Sequence, residues 1–182
     1  MKLVELLRKQ RSSILGAWVE FTIGTYPTES HRFLTKQKDS FANPVGTTIS
    51  TEIEHVFTGL LEGARGEDLR PFLDKIIRVR AVQEFSASQA VSFVFHLKMM
   101  IRSQLGEEIR KHGLADELAE MEGKIDEMAL LTFDIYMKCR EKLYEIKADR
   151  ASRQVSRLLQ KAGLTCEIPS WEPKENKNNE SL

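Results

Sequence analysis

The chain has 182 residues, of which 41% are hydrophobic and 30% charged, and its 27 lysine and arginine residues balance 27 aspartate and glutamate residues. This length corresponds to one domain with at most a short extension. The zero net charge argues against a dedicated nucleic-acid-binding protein, which is usually basic overall. No apolar run approaches the ~18 residues that span a bilayer, and charged residues interrupt the apolar N-terminus, so we expect a cytoplasmic protein without a membrane span.

The first half of the chain predicts three helices and one shorter segment. Apolar residues recur at helical spacing over residues 2–24, and a helix there should end at Tyr26-Pro27, because the residue before proline is disfavoured in helices. Residues 28–35 are compatible with a short helix, and residues 36–46 are predicted to form an irregular loop. Thr47 or Thr48 is expected to cap the next helix, which Gly63 ends. Another helix begins near Asp68, with Pro71 in its first turn.

A nearly all-apolar helix follows residue 86. Ser86 and Gln89 have the S-x-x-Q spacing of a capping box, and few polar residues interrupt the helix behind it. Such a helix is usually the most buried element of its domain. Gly106 and Gly113 are expected to bracket the break that ends it.

The long segment 115–161 contains no proline and is predicted to be one helix. Its apolar residues step by three and four along Leu118, Met121, Ile125, Met128, Thr132, Ile135 and Cys139. After Cys139 the spacing changes, and Leu143, Ile146, Ala151, Val155 and Leu158 take over, which indicates a change of packing partner to a second chain. We expect a helical domain over 1–163 and a flexible tail over 164–182.

Reactive clusters are sparse. Cys139 and Cys166 are too few and too far apart for a disulfide framework or zinc module, and no phosphate-binding, protease or kinase motif occurs. Glu52, Glu54 and His55 are compatible with part of a metal site, although a solvated helix face is the favoured interpretation. We therefore expect no enzyme, no metal and no cofactor.

His96 is the one candidate haem ligand, because it lies inside the most apolar helix. The favoured interpretation is a histidine at the edge of the core. The methionines Met99, Met100, Met121 and Met128 are expected to fill the core.

Arg78 and Arg80 lie two residues apart and therefore point in different directions on a helix. One is expected to pair with a carboxylate, either Glu84 or one from another helix, and the other to be solvated; an anion-sensing role is the alternative. The basic residues after Lys138 are interpreted as the solvated flank of a coiled coil, with an acidic or nucleic-acid partner as the less favoured alternative.

Three segments resemble one known family. They are AWVEFTIGTYP (17–27), DSFANPVG (39–46) and IIRVRAVQEFSASQAVSFVFHLKMMIR (76–102), and the chain is similar over roughly residues 1–145 to the N-terminal domain of RsbRD-type RsbT co-antagonist proteins. The last segment matches best, although Ala87 departs from the proline often found there. Because proline at that position only sets the turn, the departure does not affect the expected fold.

The resemblance implies an all-α, globin-like sensory domain of five to six helices, without haem, that pairs as a homodimer through its terminal helices. In stressosome-type relatives the last helix continues into a STAS domain; we expect none here, so the phosphorylation of that domain is not carried over. Stand-alone relatives occur in sulfate-reducing bacteria, some encoded beside sulfite-reduction electron-transfer genes.

Two functional hypotheses follow. The first is a non-enzymatic signalling module that forms a homodimer and acts on an unknown regulatory protein partner, binding neither nucleic acid nor membrane. The second is a haem or small-molecule sensor linked to sulfur-metabolism electron transfer. For the first hypothesis the sensory and interaction surface is predicted at Asn43, Arg78, Arg80, Gln83, Leu143, Ile146, Val155 and Leu158.

Overall fold

The computed structural model of the chain describes residues 2–26, 43–83 and 85–164. The regular elements in these residues are six α-helices: α1 (Leu3–Lys9), α2 (Arg11–Gly24), α3 (Pro44–Glu62), α4 (Gly66–Val82), α5 (Ala87–His112) and α6 (Ala115–Lys161). The prediction of an all-α, globin-like bundle with a long C-terminal helix is confirmed. The segment 28–35, residues 36–42 of the predicted loop and the tail from residue 165 lie outside the described residues.

The N-terminal helical region consists of two helices, so the single helix predicted over 2–24 is wrong. Gln10 interrupts it with φ −99° and ψ 15°. Leu7 before the break and Ile14 and Trp18 after it are all buried, so the apolar spacing continues across Gln10. Periodicity therefore could not reveal the interruption.

Two helices begin earlier than predicted. The Asn43 side chain accepts a hydrogen bond from the Gly46 N–H at 2.9 Å, so Asn43 rather than a threonine caps α3 and Pro44 takes the first helical position. The Arg65 N–H donates to the Asp68 carboxylate at 3.0 Å at the start of α4. Pro71 consequently lies inside α4 and not in its first turn.

The start of α5 confirms the predicted capping box. The Gln89 N–H donates to Ser86 Oγ at 3.3 Å, and the Ser86 N–H donates to Gln89 Oε1 at 3.0 Å. The predicted break at Gly106 is wrong, because α5 continues to His112 and ends at Gly113, whose φ is +65°. Burial of Leu105 and Ile109 offsets the cost of about 1 kcal/mol that glycine brings to a helix interior.

The long helix α6 packs into the bundle along the predicted row of apolar residues. The residues of that row from Leu118 to Ile135 are buried, and Cys139 is half-buried. The described residues up to Leu143 form one compact unit and those from Tyr144 onward form a second. The compact packing thus ends at Leu143, inside the domain predicted over 1–163, and that domain boundary stays a prediction.

Candidate functional site

The eight residues of the predicted sensory surface lie in different environments. Asn43 and Arg80 are buried, so their side chains are not part of an exposed surface. Leu143 is half-buried, and the others are exposed, namely Arg78, Gln83, Ile146, Val155 and Leu158.

Arg80 is anchored by neutral oxygen acceptors. Its Nη2 donates to Thr25 Oγ1 and to the Gln89 carbonyl oxygen, both at 2.9 Å, and its Nη1 lies 3.5 Å from the Thr22 carbonyl oxygen. Within the described residues no carboxylate pairs with it, and Glu84, the partner suggested by the sequence, lies outside them. Arg80 therefore ties the C-terminal ends of α2 and α4 to the first turn of α5.

Three aromatic rings enclose the Arg80 guanidinium. Its central carbon lies 4.4 Å from the ring centroid of Phe85, 5.4 Å from Tyr26 and 5.5 Å from Phe93. Burial lowers the pKa of Arg80, and burial also raises the pKa of Tyr26, although the nearby guanidinium charge counteracts part of that rise. The site suits a packing role, with the cation held by ring faces.

Asn43 has a similarly local role. Its buried side chain caps α3, and a Cβ atom at Gly46 would lie 2.4 Å from Asn43 Nδ2. Position 46 therefore admits only a glycine without displacement of the cap.

Arg78 lies on a groove that the sequence analysis missed. Its Nε donates to Asp74 Oδ2 at 2.5 Å, and this bond raises the pKa of Arg78. We call this the α4–α6 groove. It encloses about 420 Å³ and is lined by Arg70, Asp74, Arg78, Ala81, Val82, Ile135, Lys138, Cys139, Lys142 and Leu143. Only the pairing of α4 with α6 brings these residues together, so spacing along the sequence could not identify them.

A second surface runs along α5 and α6. We call it the α5–α6 apolar surface; its large exposed side chains are Phe95, Met99, Leu130, Phe133 and Met137. Lys98 Nζ lies 2.5 Å from Asp126 Oδ1, and Asp126 begins the row 126, 130, 133, 137 at helical spacing. On α5, Lys98 lies three residues after Phe95. Because Lys98 and Asp126 form one ion pair, the exposed apolar residues of α5 lie beside those of α6.

A second ion pair joins α5 to α6 beside the α5–α6 apolar surface. Arg102 Nε donates to Glu122 Oε1 at 2.5 Å, and this hydrogen bond lowers the pKa of Glu122. Met99, which was expected in the core, is exposed here instead. In the sequence, this surface is indicated by the spacing of three and four from Leu130 to Met137. These residues lie beside the buried row that runs from Leu118 to Ile135.

The exposed part of α6 after Leu143 carries its own apolar row. We call it the 144–158 seam; it consists of Tyr144, Ala148, Ala151, Val155 and Leu158, all exposed and spaced by four and three. This is the spacing of a coiled-coil seam. Ile146 lies two positions after Tyr144 and so points away from the seam, while Leu143 packs against the core of the compact unit.

The candidate haem ligand lies at the edge of the bundle. His96 is half-buried, and its ring stacks on Phe21 with centroids 3.2 Å apart and planes inclined by 13°. A porphyrin bound to this imidazole would have to displace Phe21.

Of the three candidate metal residues, Glu52 and His55 contact each other, whereas Glu54 pairs with a residue of another helix. The Glu52 carboxylate lies 2.8 Å from Lys75 Nζ and 3.3 Å from His55 Nδ1, whereas Glu54 pairs with Arg11 at 2.9 Å. Over the residues that the structure describes, no group of three or more histidine, cysteine, aspartate or glutamate side chains could hold a metal ion.

The comparisons with known proteins give one match. A family model described as the RsbT co-antagonist protein rsbRD N-terminal domain matches residues 12–151. No curated protein and no solved structure matches the chain significantly. None of the six described helices is long and apolar enough to cross a membrane. Because the family match spans well over half of the sequence, the chain belongs to the RsbRD N-terminal domain family, whose members are regulatory signalling domains.

Proposed function

We propose that this member of the RsbRD N-terminal domain family is a non-enzymatic regulatory module. It forms a homodimer and transmits a signal to a protein partner through α6. The observation that carries the proposal is the α5–α6 apolar surface.

A second copy of the chain is the occupant that this surface fits. Leu130 is 70% exposed and Met99 is 61% exposed, and contiguous rows of large apolar side chains mark interaction surfaces. The two flanking ion pairs each contribute one acid and one base, so two copies can approach without net repulsion. A two-fold axis across the surface would set α5 of one copy against α6 of the other, as an isologous interface requires.

The 144–158 seam supports the role of α6 in transmission. Its exposed spacing of four and three suits pairing with the same seam of a second copy. A signal acts on such a pair only if it binds two helix arrangements with different affinity.

Light scattering of the full-length protein at tens of micromolar tests the dimer. The wild type is expected at twice the chain mass of 20.9 kDa. Phe133→Asp should shift the protein to the monomer mass, because a charge on the α5–α6 apolar surface would lose its hydration on pairing. Lys111→Asp, an exposed change elsewhere on α5, should leave the dimer intact. A monomeric wild type refutes the proposal.

The second candidate function is a small-molecule sensor, and the α4–α6 groove is the observation that favours it. The haem version of this hypothesis depends on His96 and has a direct spectroscopic test. Haemin titration should then give a Soret shift that is lost in His96→Ala; an identical shift in both proteins rejects His96 as the ligand.

A further inference from the structure

We infer that Tyr136 and Arg140 form a latch that holds residues 137–143 of α6 on the bundle, and that the closed latch favours pairing of α6 with a second copy. The latch itself depends only on contacts within one chain. Its link to pairing rests on the proposed regulatory function, and the two parts are measured separately.

The latch consists of two hydrogen bonds from α6 to backbone oxygens at and just after the end of α4. The Tyr136 hydroxyl donates to the Phe85 carbonyl oxygen at 2.5 Å, and Arg140 Nη1 donates to the Ala81 carbonyl oxygen at 3.1 Å. Tyr136 and Arg140 lie four residues apart, so both side chains project from the same face of α6. The two bonds therefore act on one short stretch of the helix.

The Ala81 carbonyl needs a partner from outside its own helix. α4 ends at Val82, and the last four carbonyls of a helix have no intrahelical donor. The helix dipole also favours a cation at this end. Arg140 thus supplies both a donor and a positive charge to the C-terminal end of α4, although it belongs to a different helix.

Few other contacts hold residues 137–143 in place. Tyr136 is the last buried residue of α6, and beyond it only half-buried side chains, among them Cys139 and Leu143, pack against the core, while Met137 is exposed. A segment with few buried apolar contacts opens more readily than the rest of a fold. The two hydrogen bonds are therefore a large part of what keeps this segment docked.

Phe85 connects the latch to the interior of the bundle. Its carbonyl oxygen accepts the bond from Tyr136, while its ring covers the buried Arg80 guanidinium, with 4.4 Å between the ring centroid and the central carbon. Arg80 in turn donates to Thr25 at the end of α2 and to Gln89 in the first turn of α5. A change in the packing of α2, α4 and α5 would therefore displace an acceptor of the latch.

Opening of the latch acts on the proposed dimer through Met137. This residue belongs to the α5–α6 apolar surface and directly follows Tyr136. When residues 137–143 leave the bundle, Met137 loses its fixed position, and pairing must then also order the segment, which costs affinity. A signal that binds the open arrangement more tightly than the closed one would release α6 in this way.

Hydrogen–deuterium exchange of the full-length protein, followed by mass spectrometry, measures opening of the latch. Tyr136→Phe removes the donor and keeps the ring; the Phe85 carbonyl regains a partner from water only in the open form, so the variant favours opening. Amides of residues 137–143 should exchange roughly three- to tenfold faster than in the wild type at the same concentration, while those of α3 keep the wild-type rate. Arg140→Met, which keeps an unbranched stem without the donors, should act in the same direction.

Ile49→Val is the matched control. It removes one methyl group from the buried face of α3 and lowers global stability without touching the latch. Exchange of residues 137–143 should stay at the wild-type rate in this variant. Unchanged exchange of that segment in Tyr136→Phe or in Arg140→Met overturns the latch, and so does an equal rise over all six helices, which marks a loss of global stability alone.

The link to pairing is measured by the same exchange at two concentrations of the wild type. If the closed latch favours pairing, pairing must favour the closed latch to the same extent, because coupling is reciprocal. Amides of residues 137–143 should therefore exchange about fivefold or more slowly at tens of micromolar than at a dilution where light scattering gives the monomer mass. Equal rates in the two states would overturn the link. A protein that stays monomeric but still responds to Tyr136→Phe refutes the proposed dimer and leaves the latch in place.

Discussion

Arg80 illustrates how the bundle holds a buried cation. Transfer of a guanidinium from water is costly unless its donors are satisfied. The oxygens of Thr25 and Gln89 satisfy two donors on Nη2, and the ring of Phe85 covers the planar face of the ion. Nε is buried without a hydrogen-bond partner in the described part of the chain, so the aromatic rings offset only part of the cost of burying this ion. Arginine fits this site because it combines a flat face with several donors in one plane, which lysine does not.

We predict that Arg80→Ala lowers the free energy of unfolding by about 3 kcal/mol, because it leaves a cavity and removes the partners of buried acceptors. Urea denaturation followed by circular dichroism measures the difference. Arg78→Ala is the matched control and should be nearly neutral, since that side chain is exposed. Equal effects of the two variants would contradict the packing role of Arg80.

Tyr26 predicts a pH-dependent stability. Its hydroxyl is buried without a hydrogen-bond partner within the described part of the chain, so Tyr26→Phe should raise the free energy of unfolding at pH 7 by about 1 kcal/mol. The pKa of Tyr26 is raised in the folded state, so the unfolded chain loses this proton first and the wild type loses stability as the pH rises above about 10. Urea midpoints of both proteins from pH 7 to 10.5 should therefore diverge with pH. A constant difference would contradict the assigned burial of the phenol.

At the level of single helices, two glycines should respond in opposite ways to alanine. Gly46→Ala places a Cβ against the buried Asn43 cap and should cost about 1 kcal/mol, the usual value of an N-cap bond. Gly106→Ala meets no atom within 4 Å in the middle of α5 and should gain about 0.5–1 kcal/mol. Thermal melts of the two variants measure both effects, and a gain at both positions would show that the cap tolerates displacement.

The predictability of each helix end depends on whether its signal is local. The Ser86–Gln89 box was predictable because both partners lie within one turn. The start of α3 was not predicted, although its cap is equally local, because Asn43 and Thr47 are both good capping residues by type and the sequence offers both. Gly106 failed as a terminator because the burial of its neighbours outweighs its weak helix propensity.

At the level of the whole molecule, the sequence predicted the helical fold and the family, since periodicity and the motif around Arg80 are properties of the chain itself. The sequence did not predict the two surfaces that lie between neighbouring helices. The α4–α6 groove and the α5–α6 apolar surface each combine residues from two helices, and their pairing is a tertiary property. Arg80 was placed on the surface because charge in a sequence gives no sign of the aromatic rings that will cover it.

The central claim is that two chains pair along α6, and a distance between spin labels tests it most directly. Ser152→Cys, in a background with Cys139→Ser and Cys166→Ser, places one label beside the middle of the 144–158 seam. Paired helix axes lie about 8–10 Å apart, so the account predicts an interchain label distance of roughly 10–30 Å for either helix orientation. Absence of dipolar coupling between chains at tens of micromolar would contradict it.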